Sequence, residues 1–310
     1  MNILGNTKFD FMGNRKKAFI FSLTLIIISI GALAIRGLNF GLDFTGGTEV
    51  VVNFEKIVPL EEIREVLETN NFKDAVVQNF GTAKSVQIRL PIKSIDDSSN
   101  ISNQLAKVIL PLDSEAKVGK GDFIGSQVGD ELVLDGSLAI LYAIIGILLY
   151  VTMRFEWRFS VGSVVALVHD VVITTGVFAI TQMDFDLTIL AALLAVIGYS
   201  LNDTIVVFDR VRENFKGLRK KSAQEVFNTS INQTLSRTII TSVTTLLVLF
   251  ALFFIGGEMI HGFAFALIVG IFVGTYSSIF VASTATLALG ISRDDLMPVA
   301  KEGADLDHIP

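Results

Sequence analysis

GYSLNDTIVVFDRVREN runs from Gly198 to Asn214 and closes a long apolar stretch. Asn202 and Asp203 stand side by side before the apolar residues resume at Ile205–Phe208, and the next charges, Asp209 and Arg210, follow only then. A carboxylate in such a segment is expensive in lipid, costing about 2.5–3.5 kcal/mol on insertion scales. Such residues face a bundle interior or a wet cavity. The stretch therefore reads as one span of a multi-helix membrane protein.

The rest of the chain agrees. Of 310 residues, 51% are hydrophobic and only 18% charged, and mean hydropathy is +0.60, a balance unlike that of ordinary soluble domains. Six stretches approach the roughly 20 residues that cross hydrocarbon: Ala18–Ile35, Leu132–Met153, Phe159–Ile180, Leu187–Phe208, Ile239–Ile255 and Gly262–Leu289. A signal peptide competes for the first, since Arg15, Lys16 and Lys17 precede it and Ala32-Leu33-Ala34 resembles a cleavage site. Its apolar run exceeds the usual signal core of about 7–15 residues, which favours an uncleaved span at residues 18–35.

Cations set the expected orientation. Lys8, Arg15, Lys16 and Lys17 precede the first span, Arg154 and Arg158 follow the second, and Arg210, Arg212, Lys216, Arg219, Lys220 and Lys221 follow the fourth. The loops Thr181–Asp186 and Gly256–His261 carry no Lys or Arg. The positive-inside rule then puts both termini, residues 1–17 and 291–310, in the cytoplasm and residues 36–131 outside. Residues 132–290 form a five-helix membrane bundle by this reading.

Residues 36–131 read as a small α+β domain. TEVVVNFE alternates as a strand, LEEIREVLETNN is helical, and DAVVQNF and SVQIRLPI are strands joined at a turn containing Gly81. IDDSSNISNQLAKVIL is a second helix and EAKVGKGDFIG a weak last strand. The order β-α-β-β-α-β is ferredoxin-like, a fold that says little about role. GLDFTGGT, with Gly41, Gly46 and Gly47 around Asp43, lacks a phosphate-loop lysine and reads as a tight turn at the membrane surface. After the fourth span, SAQEVFNTSINQTLSRT places Ala223, Val226, Phe227, Ile231 and Leu235 on one face. It reads as an amphipathic helix near 222–236 lying on the bilayer. Gly270 and Gly274 form a helix-packing GxxxG, and Trp157 an interfacial anchor.

Composition also excludes. The absence of cysteine rules out disulfides and thiol chemistry, and a net charge of −6 offers no footprint for nucleic acid. His169, His261 and His308 are not at metal-ligand spacing with one another. No nucleotide loop, nucleophile elbow or zinc-helix motif occurs. The expectation is no cofactor, no metal and no enzymatic activity, with any work driven by an ion gradient or a partner.

Three clusters of polar residues fall in the spans: His169 with Asp170, Asn202 with Asp203, and Arg237 in LSRTIITS. Asp203 lies about 9 Å along a helix from Asp209, and Asp170 about 16 Å from Phe159, so all three can meet in one bundle. Burial favours the neutral form of a carboxyl and a guanidinium favours the charged form. A carboxyl held between the two can exchange a proton as water access changes. The competing reading is a buried ion pair and amides that hold helices together.

GLDFTGGTEV, VALVHDVVITTG, GYSLNDTIVVFDRVREN and SINQTLSRTIITS, in this order, resemble the SecF branch of the SecD/SecF family of bacterial protein-export membrane proteins, related to one half of an RND transporter. The resemblance implies a polytopic α-helical protein of the bacterial cytoplasmic membrane with six transmembrane helices and a small ferredoxin-like extracytoplasmic domain. It implies Asp203 as proton-relay aspartate with Arg237 as its partner; the placement of polar residues in the spans adds Asn202 to the relay and His169 and Asp170 as supporting polar groups. The implied partners are a SecD-like subunit, the Sec channel complex, an unfolded polypeptide in transit and the lipid bilayer. The implied role is use of the proton-motive force in late steps of export. An RND-type permease half for small molecules or lipids, or a non-transporting assembly factor, stands as the alternative.

Overall fold

A computed structural model of the chain describes residues 7–72, 75–90 and 95–296. His308, most of the expected tail 291–310 and the start of the expected segment 1–17 lie outside the described residues. Helix α1 (Arg15–Arg36) leads to a short strand β1 (Asn39–Phe40), a single turn α2 (Leu42–Thr45) and strand β2 (Gly47–Asn53). Then come α3 (Leu60–Thr69), the hairpin β3 (Val76–Phe80) and β4 (Thr82–Leu90), and α4 (Ile95–Ile109). Two short strands, β5 (Lys117–Val118) and β6 (Asp122–Ile124), close this part.

The sheet is antiparallel in the order β3-β4-β2-β5, with β6 also on β2. One face packs on α3 and α4, because alternation along β2 sends Val50 and Val52 inward and helical spacing sends Ile63, Leu67, Leu105 and Ile109 to meet them. Each fully buried aliphatic side chain contributes roughly 1.5–3 kcal/mol. The weak last strand is broken at Gly119, whose N–H donates to Val51 O at 2.8 Å where any Cβ would press on that carbonyl. Gly46 and Gly47 have φ of 64° and 121°. A side chain at Gly47 would collide with Leu90 O, so the paired glycines let β2 leave α2 directly into register with β4.

The remaining helices are α5 (Ser126–Arg154), α6 (Trp157–Thr181), α7 (Leu187–Gly217), α8 (Ala223–Ile255) and α9 (Glu258–Ser277), with strand β7 (Asp184–Phe185) between α6 and α7. The chain continues through a π turn at Ser278–Ala282 into α10 (Ser283–Ala288). Six helical segments among the described residues are long and apolar enough to cross a membrane. About half of each most apolar window is buried in α6, α7 and α9-α10, against very little in α1 and α5, so the first three form the centre of the bundle. Close approach depends on small residues. A Cβ on Gly270 would strike Val196 of α7, and one on Gly176 of α6 would strike Ser29 of α1.

The structure corrects one expectation. Residues 222–236 are not a separate surface helix. They open the 33-residue α8, started by a capping box in which Ser222 and Glu225 satisfy each other's backbone N–H groups. The apolar face that suggested a bilayer surface is covered by protein. Val226, Phe227 and Ile231 are fully buried with Val211 and Phe215 of α7, which itself runs nine residues past Phe208, and with Met12. An amphipathic pattern reports that a face is covered and leaves open whether lipid or protein covers it.

At the sheet end the two parts are tied together. β1 pairs with β7 in parallel, Asn39 opposite Asp184 and Phe40 opposite Phe185. Arg89 of β4 meets Asp184 Oδ1 at 2.6 Å and donates to Phe40 O at 2.6 Å. Gln78 and Asn39 also donate to the Asp184 carboxylate. Asp43 Oδ2 accepts from Leu187 N at 3.0 Å, so α2 caps the start of α7 beside that helix's own N-cap, Asp186.

Candidate functional site

Asp203 lies 16 residues into α7, about 24 Å along the helix from Leu187. It is 8% exposed. Its Oδ1 accepts from Thr238 Oγ1 of α8 at 2.6 Å, and its Oδ2 accepts from Ser278 Oγ at 2.5 Å. Both partners are neutral hydroxyls. Asp170 of α6 is fully buried. Its Oδ2 accepts from Ser200 Oγ, one turn before Asp203 on α7, at 2.5 Å and from Ser277 Oγ at 2.7 Å. Its Oδ1 is 2.9 Å from His169 Nδ1.

The π turn explains how one helix serves both acids. Successive residues of an α-helix point about 100° apart, a consequence of 3.6 residues per turn. Ser277 ends α9 and Ser278 opens the wider turn, so one hydroxyl reaches α6 while the next reaches α7. Wide turns of this kind recur at functional sites. Gly162 of α6 leaves room for the segment, since a Cβ there would strike Thr286 and crowd Ala282 O. Gly274 lies against Ser200 and Asp170 and brings Ser277 within reach of the carboxylate.

The other expected residues are placed differently. Arg237, the residue before Thr238, is exposed and makes no ion pair with Asp203 among the described residues, although its charge lies within electrostatic reach of that carboxyl. It lines a cavity of about 280 Å³ with Arg154, Asp209, Arg210, Glu213 and Thr234. There Asp209 is paired with Arg154 and Arg212, and Glu213 with Arg210. Asn202 is exposed on the outer side of α7 and does not touch the carboxyl beside it. The structure thus brings Asp203 and Asp170 into one cluster with His169, sets Arg237 at its edge and leaves Asn202 outside.

Sequence reasoning missed Thr238, Ser200, Ser277 and Ser278. One signal was available: TYSSIF interrupts the last apolar run with hydroxyls. Hydroxyls carry little penalty in a helix because they bond their own backbone, so that signal is weak. Among the described residues no group of three or more His, Asp or Glu could hold a metal ion.

Comparison with known proteins gives a consistent set of relatives. The family described as "Protein export membrane protein SecD/SecF, C-terminal" matches residues 104–292, and the "SecD/SecF GG Motif" matches residues 31–56, which include the paired glycines. The chain is 54% identical to protein translocase subunit SecF of Vibrio alginolyticus, covering 97% of this chain and 96% of that protein. It is 42% identical to the Escherichia coli O157:H7 protein of the same name, covering 98% and 96%. Among solved structures it resembles SecDF, a translocon-associated membrane protein from Thermus thermophilus, with a TM-score of 0.85 and 40% identity over 92% of this chain. The chain spans 39%, about two-fifths, of that longer SecDF chain.

Proposed function

Because the chain belongs to the SecD/SecF family of protein-export membrane proteins, a multi-pass family of the bacterial inner membrane, we propose that it works as the SecF-type half of a proton-driven accessory to the Sec translocase. Its partners in this reading are a SecD-like subunit and the Sec channel, and its cargo is an unfolded polypeptide. The residues between α1 and α5 form a ferredoxin-like domain outside the cytoplasm, supported by the antiparallel order and the β-α-β-β-α-β sequence of elements. Both termini are cytoplasmic, supported by the distribution of Lys and Arg. A reporter active only outside the cytoplasm is expected to work when fused after Lys120 and to be silent after Lys220.

One observation carries the proton role. Asp203 is buried deep in a spanning helix and, among the described residues, is bonded only to hydroxyls, with Arg237 near but not paired to it. A carboxylate locked to a guanidinium stays charged; one held by hydroxyls can gain a proton without stranding a buried cation. Gaining it removes the attraction to Arg237, and losing it restores that attraction. The rod between site and domain is α7 itself, capped by Asp43 and preceded by Asp184 in the tie to the sheet. A change in packing at Asp203 therefore has a stiff path to the outer domain, a local charge event read out by a two-state element.

The test is export of a secreted protein into inverted vesicles, with and without an uncoupler. Asp203→Asn keeps the shape and fixes the neutral state. It is expected to preserve association with the SecD-like chain and to remove the part of export that the gradient stimulates, leaving the ATP-driven part. Arg237→Met is expected to do similar harm. Full gradient-stimulated export by Asp203→Asn would overturn the relay and leave an assembly factor as the better reading.

A further inference from the structure

The two buried acids do not touch, yet each is held by one of two consecutive serines. Ser278 Oγ can donate to Asp203 Oδ2 at 2.5 Å or to its own backbone at Thr275 O, 3.1 Å away. Ser277 Oγ can donate to Asp170 Oδ2 at 2.7 Å or to Gly274 O, 3.2 Å away. Each hydroxyl has one proton and two acceptors within reach. All four of these side chains are at least nine-tenths buried. When the carboxyl is charged the serine must donate to it. When the carboxyl is protonated its own O–H donates to the serine oxygen, and the serine proton turns to the backbone carbonyl. No covalent bond of the serine breaks, and the one proton gained stays on the carboxyl.

We propose that Ser277 and Ser278 are a hydroxyl pair that makes Asp170 a second protonation site coupled to Asp203. This rests on the reading of Asp203 as a relay carboxyl and adds a partner site to it. The serines share a backbone at the start of the π turn, where the helix departs from α geometry. When Ser278 turns away from Asp203, the Thr275 carbonyl gains a bond, the turn adjusts, and the geometry of Ser277 at Asp170 changes with it. Ser200 closes the loop from the other side, since it sits on α7 with Asp203 and bonds Asp170.

The surroundings suit two different tasks. Asp203 faces Thr238 of α8 and Ser278, and Arg237, next to Thr238, lines the cavity that Asp203 itself does not line. Asp170 faces Ser200 of α7 and Ser277, and its titratable neighbours are His169 on its own helix and, behind that ring, Tyr276 at 6.2 Å between ring centres. His169 Nε2 is buried with no hydrogen-bond partner among the described residues. Tyr276 carries the chain onward to α1, donating to Ala18 O at 2.8 Å and lying 3.0 Å from Ser22 Oγ. Asp203 exchanges protons with water, and Asp170 registers the event and passes it to α6 and α1. Ser277 and Ser278 are positioning residues.

The experiment is infrared difference spectroscopy of the complex in proteoliposomes, stepped between acid and alkaline buffer. The Asp170 and Asp203 carboxyl bands are assigned by their loss in Asp170→Asn and Asp203→Asn. Coupling predicts that the Asp170 band moves in Asp203→Asn and that this movement disappears in a Ser277→Ala, Ser278→Ala background. An Asp170 band identical in wild type and Asp203→Asn overturns the proposal. If Asp170→Asn does not accumulate, the single serine variants decide. Coupling predicts that Ser277→Ala moves two carboxyl bands, with rescue by Ser277→Thr, whereas independent acids predict one. Gradient-stimulated export is expected to fall several-fold in Ser278→Ala. Loss of the relay itself is read separately, from export by Asp203→Asn, so bands that move without any export defect there would keep the coupling and refute the relay.

Discussion

Two buried polar sites lie at either end of the first half of α7, and they are built from opposite materials. At the sheet end, Asp184 is held by a guanidinium at 2.6 Å and by two side-chain amides, Asn39 and Gln78. In the bundle, Asp203 and Asp170 are held almost wholly by hydroxyls, with one imidazole. Arginine keeps its charge at all accessible pH and its planar fork fixes geometry. A hydroxyl donates or accepts as its neighbour requires. The first site is suited to staying as it is, and the second to changing. The difference separates joining the sheet to the bundle from responding to a proton.

The largest expected effect tests the rigid site. Arg89→Met leaves the Asp184 carboxylate without its cation and is expected to destabilise the chain by about 2–3 kcal/mol. That is below the range for a fully buried pair because Asp184 is 24% exposed at its side chain. Thermal melting in detergent measures it. Arg89→Met with Asp184→Leu is expected to recover most of the loss, because the stranded charge is gone. No recovery would mean that Arg89 acts through its bond to Phe40 O instead.

A smaller effect is expected in the bundle. Thr238→Val removes one hydroxyl from Asp203 at nearly constant volume, with a cost of about 1.5 kcal/mol, at the low end for a hydrogen bond to a charged group. The diagnostic is function out of proportion to stability. Gradient-stimulated export is expected to drop several-fold in a protein that melts within a few degrees of wild type. A melting loss as large as that of Arg89→Met would erase the contrast between the sites.

The smallest effect sharpens the comparison through pH. Glu49, beside Arg89 in the sheet, has its carboxyl held above the usual range. Burial is the main cause, repulsion from Asp184 and Asp122 adds to it, and Gln87 and Arg89 oppose it. A raised carboxyl penalises the charged form in the folded state, so the penalty is absent below the unfolded value of about 4.3. It grows as pH rises and is complete above the folded value. Glu49→Gln is therefore expected to raise the melting temperature at neutral pH and to leave it unchanged below about pH 4. Equal effects at both pH values would show that packing, rather than ionisation, sets the difference.

Much of this was legible in residue order. Span number, the acids Asp170 and Asp203, the alternation of β2 and the paired glycines are all short-range patterns, and periodicity or spacing reads them directly. The expectation for 222–236 went wrong for the same reason, since its apolar stripe is local information while its cover, Phe215 and Met12, comes from elsewhere in the chain. Asn202 drew notice only as the neighbour of Asp203, and a one-residue step on a helix turns a side chain to another face.

What the sequence determined by itself was where the charges had to be hidden: a carboxyl in an apolar run must find cover whatever the fold. Which groups cover it was decided only by tertiary structure. Thr238 is 35 residues from Asp203, Ser278 is 75 away, and Ser277 is 107 from Asp170. Serine and threonine bond their own helix when no carboxylate is near, so in one dimension they look like any other helical residue. The close approach of α9 to α7 at Gly270 and the π turn that follows aim them at the two acids. That is a matter of helix packing, which spacing along the chain does not encode.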